Sequence, residues 1–165
     1  MVHGAVAPGP RSLEALLTQL RVPDQGAACV ALARQLVPGQ TGPGDSVSAV
    51  VWGTPDADRS IADIAAPFIP AERDRLLEAT VARLRFGHVY LLVEQPQLST
   101  GIGAYVSRYG EGLAAIYVER PRFTPAASAH RRPPRPMRTP LRRRGWLLPH
   151  EWPWGPFVIV LEAPR

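Results

Sequence analysis

The stretch AERDRLLEATVARLRFGHVYLLVEQ, from Ala71 to Gln95, decides the fold that the sequence predicts. Within Ala71–Phe86, apolar side chains recur at helical spacing, acidic residues crowd the start, and arginines lie near the end. This pattern is typical of an amphipathic α-helix, and Gly87 can end it. The segment His88–Gln95 is apolar over nearly its whole length, so it predicts a central strand of a sheet.

Shorter elements are predicted before this stretch. Ser12 can cap a helix with an apolar stripe of four leucines, and Asp24 can cap a second helix that runs to about Val37. Ser46–Gly53 (SVSAVVWG) is rich in β-forming residues and predicts the first strand. Ser60 and Asp63 form a weak capping box over the short apolar segment that follows. No internal repeat is visible in the sequence.

Two interpretations compete for the segment after the central strand. Ile102–Tyr109 predicts either a short helix in a βαβ crossover, or a strand over 104–109 that turns at residues 110–112 into a strand over 113–119. The hairpin is favoured, because glycines at both ends of a short aromatic segment suit turns better than helix caps. The apolar segment 157–162 (FVIVLE) predicts that the chain finally returns to the same sheet.

The predicted fold class is therefore α+β or α/β. It has two N-terminal helices and a mixed or mainly antiparallel sheet of four to five strands with a long helix packed on it. An extended Arg/Pro-rich arm is inserted before the last strand. The domain prediction is a flexible tail over 1–10, a single domain over 11–119 plus 156–165, and a basic arm with a Trp/Pro segment over 120–155. A chain of 165 residues is long enough to bury a core of this kind.

The charge of the chain is segregated. Residues 1–119 hold nine Arg against twelve Asp and Glu, whereas residues 120–150 hold nine Arg and no acidic residue. The chain contains no Lys and no Asn, which indicates a GC-rich, bacterial genome, so only the position of the arginines is informative. Clustered charge of this kind attracts an anionic partner.

The leading functional prediction follows from this arm. Its prolines favour an extended backbone, on which arginines can track a phosphate backbone or an acidic protein surface. We therefore expect a small cytoplasmic binding protein that performs no chemistry, contacts nucleic acid or an acidic partner, and uses no cofactor and no metal. The predicted contact residues are Arg131, Arg132, Arg135, Arg138, Arg142, Arg143, Arg144 and Trp146.

A second prediction places an assembly or adaptor surface on the Trp/Pro segment. Trp146, Trp152 and Trp154 are interleaved with prolines and together carry a large apolar area. They either fold back over an edge of the domain, which is the favoured interpretation, or form a partner surface.

The alternative to a binding protein is a Mg²⁺-dependent hydrolase or nuclease-like enzyme. Its site would lie near Asp56, Glu94 and Gly101, with Mg²⁺ on Asp56 or Asp58. Against it, the basic residue expected after a nuclease glutamate is missing after Glu94, and the Ser99–Gly103 glycine cluster lacks the full dinucleotide pattern and any Walker lysine. No catalytic residue is predicted.

The remaining signals concern the compartment. Cys29 is the only cysteine and has small apolar neighbours, which indicates a buried structural thiol and no disulfide. No run approaches the roughly 18 apolar residues of a membrane-spanning helix. The first ten residues lack the pattern of a signal peptide. The prediction is a cytoplasmic location with no membrane contact.

Overall fold

A computed structural model describes residues 9–125, 134–150 and 152–164 of the chain. Four helices and eight strands are assigned in this part. In chain order they are α1 (Leu13–Leu20), α2 (Gln25–Leu36), β1 (Ser46–Gly53), α3 (Ala57–Ala62), β2 (Ile69–Pro70), β3 (Ala79–Phe86), β4 (Val89–Pro96), α4 (Ile102–Tyr109), β5 (Gly112–Glu119), β6 (Met137–Arg138), β7 (Arg144–Leu147) and β8 (Phe157–Leu161). No helix in these ranges is long and apolar enough to cross a membrane.

The eight strands form a single sheet in the order β2-β3-β4-β1-β5-β8-β7-β6. This order is a structural repeat of two four-strand units. The first unit contains β1 to β4 and the second contains β5 to β8. In each unit the first strand pairs in parallel with the last, β1 with β4 and β5 with β8. The other two strands extend the sheet outward from that last strand as antiparallel neighbours, in the orders β4-β3-β2 and β8-β7-β6. The two units join through the antiparallel pair β1 and β5 at the centre of the sheet.

Each face of the sheet has its own apolar cluster, because side chains alternate along a strand. On β1, Val50 and Trp52 belong to the cluster that also contains the buried leucines of α1 and α2. Ala49 and Val51 belong to the opposite cluster, which contains Ile102 and Tyr105 of α4. We call these two sides of the sheet the α1/α2 face and the α4 face.

The predicted fold class is wrong. The structure has eight strands in place of four to five, and no long helix packs on the sheet. The segment predicted as that helix, Ala71–Phe86, is a turn followed by the strand β3, which pairs with all eight residues of β4. The full ladder of backbone hydrogen bonds with β4 stabilises the strand more than the helical spacing of a few apolar side chains would stabilise a helix.

The favoured hairpin over Ile102–Tyr109 is also not found, because this segment is the helix α4. Gly101 and Gly110 flank the helix at both ends, each with positive φ. Gly53 lets α4 approach the sheet, since a Cβ there would lie only 3.2 Å from the Ile102 side chain and 3.3 Å from that of Val106.

The arm is partly built into the sheet. Its residues 137–138 and 144–147 form β6 and β7, and β7 pairs with β8. Residues 126–133 of the arm and residues 1–8 of the predicted tail lie outside the described ranges. The division into tail, domain and arm stays a prediction.

Candidate functional site

The α4 face carries a cluster of ionisable side chains that are completely buried. Glu94 lies near the end of β4, Asp74 lies in the turn before β3, and Tyr117 lies on β5. All three have no exposed surface. Buried carboxyl groups are rare in proteins unless they are paired or have a function.

Asp74 is held by its own turn and by the sheet. Its backbone N–H and C=O pair with Ala79, which closes the turn. Its carboxylate oxygen Oδ1 accepts hydrogen bonds from the backbone N–H groups of Leu76 at 2.9 Å and Leu77 at 3.1 Å. The Tyr117 hydroxyl donates to the other oxygen, Oδ2. Three donors therefore stabilise a negative charge on Asp74.

Glu94 lies in a different environment. Neither of its carboxyl oxygens accepts a hydrogen bond among the described residues. Burial raises the pKa of Glu94 well above its usual value, and the nearby negative charge of Asp74 and a hydrogen bond from protonated Glu94 to Asp74 raise it further. Burial of this kind favours the protonated form of a carboxyl group. The cluster therefore combines two carboxyl groups in different environments, Glu94, whose protonated form is favoured, and Asp74, which accepts three hydrogen bonds.

Two tyrosines complete the polar groups of this face. Burial raises the pKa of Tyr117 well above its usual value, and the charges of Asp74 and Glu94 add to this effect, so its hydroxyl remains a donor. Tyr105 of α4 is also buried, and its hydroxyl has no hydrogen-bond partner in the described part of the chain. Burial raises the pKa of Tyr105 as well, and the neighbouring Tyr109 raises it further by a smaller amount.

The cluster is closed off by contacts between two turns. The Leu77 carbonyl accepts from the N–H of Ile102 at 3.2 Å, and the Glu78 carbonyl accepts from the N–H of Gln97 at 3.0 Å. The Thr100 hydroxyl also donates to the Glu78 carboxylate. These contacts join the turn that carries Asp74 to the segment that leads into α4.

A second polar region lies beside α1 and α3. The Glu111 carboxylate accepts from Thr54 Oγ1 at 2.9 Å and forms an ion pair with Arg59. Next to them is a groove of about 630 Å³ lined by Arg11, Arg21 and other exposed polar side chains. Three arginines and three acidic residues line this groove, so its charges balance. The region can hold a polar ligand but contains no buried acid of the Glu94 kind.

The predicted contact residues of the arm lie in several environments. Arg131 and Arg132 fall outside the described ranges, and Arg135 and Arg142 are exposed. Arg138 pairs with Glu72 at 3.2 Å, with both side chains 62% exposed.

The remaining three residues bind other parts of the arm or the sheet. Arg143 pairs with Glu119 and donates to the backbone carbonyl of Glu162. Arg144 donates to the Pro136 carbonyl, and Trp146 packs on Phe123 with ring centroids 5.5 Å apart. Two of the arginines are thus matched by the protein's own carboxylates. The partner-binding role of these eight residues, and an acidic partner for them, stay predictions.

The residues of the alternative enzyme site are only partly brought together. Asp56 caps α3, where its carboxylate accepts from the N–H of Arg59 at 3.0 Å. Glu94 is buried beside Asp74, and Gly101 contacts the turn at Leu77. In the sequence Asp74 is part of a predicted helix start and Tyr117 part of an apolar strand. The only sequence signal for the cluster is an acidic residue at the end of a continuously apolar strand.

Comparison with known proteins gives a fold and no family. No protein-family description matches the chain, and no curated protein matches it. Among solved structures, a variant of methylmalonyl-CoA epimerase from Streptomyces coelicolor, in complex with 2-nitronate-propionyl-CoA, is similar with a TM-score of 0.52 and 17% identity. The match covers 70% of this chain and 94% of the epimerase. Methylmalonyl-CoA epimerase from Mycobacterium tuberculosis matches with a TM-score of 0.52 and 13% identity, covering 80% and 96% of the two chains.

The shared feature is the curled mixed sheet of the vicinal-oxygen-chelate type. The described side chains do not fit a metal of the kind that this fold's name implies, because no group of three or more His, Cys, Asp or Glu residues could hold one. Asp74 already accepts three hydrogen bonds, and the charge on Glu94 is suppressed.

These comparisons correct the functional prediction. The expected binding protein without chemistry is wrong, because solved structures with this fold include methylmalonyl-CoA epimerases, and nucleic-acid binding finds no support. The alternative of an enzyme near Glu94 agrees better with the findings. The likeness itself establishes that this chain has the sheet architecture of the epimerases.

Proposed function

We propose that this protein is an enzyme that transfers protons on a small organic substrate, with Glu94 and Asp74 as its acid and base. The observation that carries the proposal is Glu94, a completely buried carboxyl group that accepts no hydrogen bond among the described residues, lies against Asp74 and has a raised pKa. Two carboxyl groups whose environments push their protonation states apart are a recurrent arrangement for general acid–base catalysis.

The chemistry follows from the two protonation states. Glu94 is the group that donates a proton, and Asp74 is the group that accepts one, with Tyr117 holding Asp74 in place. A carbon next to a carbonyl suits such a pair, since one group removes its proton while the other protonates the oxygen or returns a proton to the carbon. Methylmalonyl-CoA, which is bound by an epimerase with this fold, contains a carbon of this kind. We propose an acyl thioester as the substrate class.

Substrate access defines a second part of the proposal. The acid pair is closed by the contacts of Leu77 and Glu78 with the segment that leads into α4. The segment over 97–101 must therefore move away from the turn before a thioester reaches Glu94. Leu98 at its centre is 52% exposed, so the segment has little buried apolar area to hold it closed.

The test is hydrogen exchange at the substrate carbon. Methylmalonyl-CoA is incubated with the protein in D₂O, and loss of the proton signal at its α-carbon is followed by ¹H NMR. Propionyl-CoA and malonyl-CoA serve as further acyl thioesters. The expected result is enzyme-dependent exchange with at least one of them that falls by about 10²-fold or more in Glu94→Gln.

Glu72→Gln is the matched control, because it is the same substitution at a glutamate whose side chain is exposed. It should exchange at the wild-type rate. Equal exchange in wild type and Glu94→Gln, or no exchange with any of the three thioesters, would refute the proposal. We propose a cytoplasmic location for this activity, on the basis of the single buried thiol of Cys29.

A further inference from the structure

Two tryptophans after the arm form a stacked pair. The rings of Trp152 and Trp154 lie with centroids 5.3 Å apart and an angle of only 11° between their planes. Trp152 remains 51% exposed, and it is one of the few large apolar side chains with so much exposed surface in the described ranges. The pair therefore presents a flat aromatic surface on which a ring of a ligand can stack.

A cation packs on the second ring of the pair. The guanidinium carbon of Arg108 lies 4.2 Å from the centroid of the Trp154 ring. Arg108 belongs to α4, so this cation–π contact fixes the stack to the helix on the α4 face of the sheet. One face of Trp152 is against Trp154, and its exposed half therefore includes the other face.

We propose that the open face of Trp152 binds the nucleobase of a small nucleotide-containing ligand. A flat, open indole face already aligned by a second ring is pre-organised for stacking, and bases stack on such aromatic rings with little dependence on sequence. Arg108 and Trp154 are positioning residues for this surface. They touch no ligand themselves but fix the plane in which the base is received.

This site deepens the proposed function and rests on it for the identity of the whole ligand. An acyl thioester of coenzyme A carries an adenine nucleotide at the end remote from its thioester. The eight residues of α4 span about 12 Å. They connect Arg108, at the stack, with Ile102, which belongs to the same apolar cluster as Tyr117, the hydrogen-bond donor to Asp74. A ligand with a base at one end and a thioester at the other could therefore contact both regions.

The probe for the site is adenosine 5′-monophosphate, which contains the base but no thioester. In a ¹H NMR titration, stacking on Trp152 should shift the adenine H2 and H8 signals upfield and broaden them. Ribose 5-phosphate lacks the base and should show no response. In Trp152→Leu the affinity for the nucleotide should fall by about ten-fold, and Arg108→Gln should weaken it to a smaller degree.

Phe123→Leu is the matched control, because it also removes an aromatic ring, and Phe123 packs against Trp146 and takes no part in the stack. It should bind the nucleotide as the wild type does. Glu94→Gln should also bind it unchanged, which separates this site from the acid pair. Absence of proton exchange in the wild-type protein, with intact nucleotide binding, would refute the proposed function alone.

Two results would overturn the stacking site. The first is an absence of ring-current shifts at millimolar nucleotide in a wild-type protein whose fold is verified by its own spectrum. The second is a concentration-dependent dimer in sedimentation that Trp152→Leu abolishes, because the open indole face would then be occupied by a second copy of the chain.

Discussion

Replacement of Glu94 by glutamine should stabilise the protein increasingly as the pH rises. In the unfolded chain Glu94 loses its proton near the ordinary pKa of 4.5, whereas burial and the neighbouring Asp74 raise its pKa in the folded protein. Between these two pKa values the folded state binds more protons than the unfolded state. Raising the pH through this window therefore favours unfolding.

The magnitude follows from proton linkage. One proton of difference changes the free energy of unfolding by about 1.4 kcal/mol per pH unit. Below pH 4.5 both states are protonated and Glu94 contributes no pH dependence. Above it, the wild type should lose stability relative to Glu94→Gln with a slope that approaches this value. The slope ends where the folded carboxyl group itself ionises.

The assay is urea unfolding followed by tryptophan fluorescence, for both proteins, at intervals of half a pH unit from pH 4 to pH 8. Only the difference between the two proteins is interpreted, because the other titrating groups are common to both. A free-energy difference that is constant across this range would refute the reasoning, since it would mean that Glu94 titrates alike in the folded and unfolded states. A difference that decreases with pH would refute it equally.

Three further predictions concern stability and are checked by the same unfolding assay. Gly101→Ala should lose about 1–3 kcal/mol, because Gly101 has a φ of 56° and a Cβ there would lie 2.5 Å from a carbonyl oxygen of the facing turn; an unchanged midpoint would contradict the close contact. Tyr117→Phe should lose about 1–3 kcal/mol by removing a donor from buried Asp74, and a neutral effect would show that Asp74 has another partner. Arg120→Gln should destabilise the protein at pH 7, because Arg120 lies 2.8 Å from the largely buried Asp45 carboxylate. Burial raises the pKa of Asp45, but hydrogen bonds from Arg120 and the Gly42 N–H together with the Arg120 charge outweigh burial and lower it. This stabilisation is present above the pKa of the unfolded chain and is lost as the pH falls through the folded pKa, so the effect of Arg120→Gln should shrink in acid; an effect independent of pH would contradict it.

Local signals in the sequence correspond to local structure. Ser12 Oγ accepts from the N–H of Ala15 at 3.1 Å, and Asp24 accepts from that of Ala27 at 3.0 Å, so both expected caps are present. The strand expected at Ser46–Gly53 has the same bounds in the structure. These features depend on residues within a few positions of one another, which is the range over which sequence patterns are informative.

The failure at Ala71–Phe86 has a different cause. Leu76, Leu77, Val81 and Leu84 recur at helical spacing, but the first two lie in the turn, and Val81 and Leu84 are buried on opposite faces of the sheet. Pairing with β4 decides the conformation, and the residues of this segment do not indicate that it pairs with another strand. The positive φ of Glu78, at 55°, marks the point where the turn meets the strand.

The repeat of two four-strand units was equally inaccessible from the sequence. It is a property of strand order, and the two units show no matching sequence pattern. In a hairpin, the segment before β5 would pair with β5. Both edges of β5 are already paired, one with β1 and the other with β8. Ile102–Tyr109 therefore packs across the α4 face as a helix, with Ile102 and Tyr105 buried.

The candidate site shows the same limit. Glu94 is visible in the sequence as an acidic residue in an apolar strand. Its companions come from a turn before β3 and from β5, separated from it by 20 residues or more. Only the sheet order, with β4 and β5 on either side of β1, brings Asp74 and Tyr117 to the same face as Glu94.

The protonation state of Glu94 is best measured directly by ¹³C NMR. With glutamate labelled at its side-chain carboxyl carbon, each group gives a signal that moves as it ionises, and the signal missing in Glu94→Gln identifies Glu94. We predict a titration midpoint well above 4.5, with the group still protonated when the exposed glutamates have ionised. A midpoint at or below 4.5 would show a carboxylate already charged in the folded protein, and the acid of the proposed proton transfer would not exist.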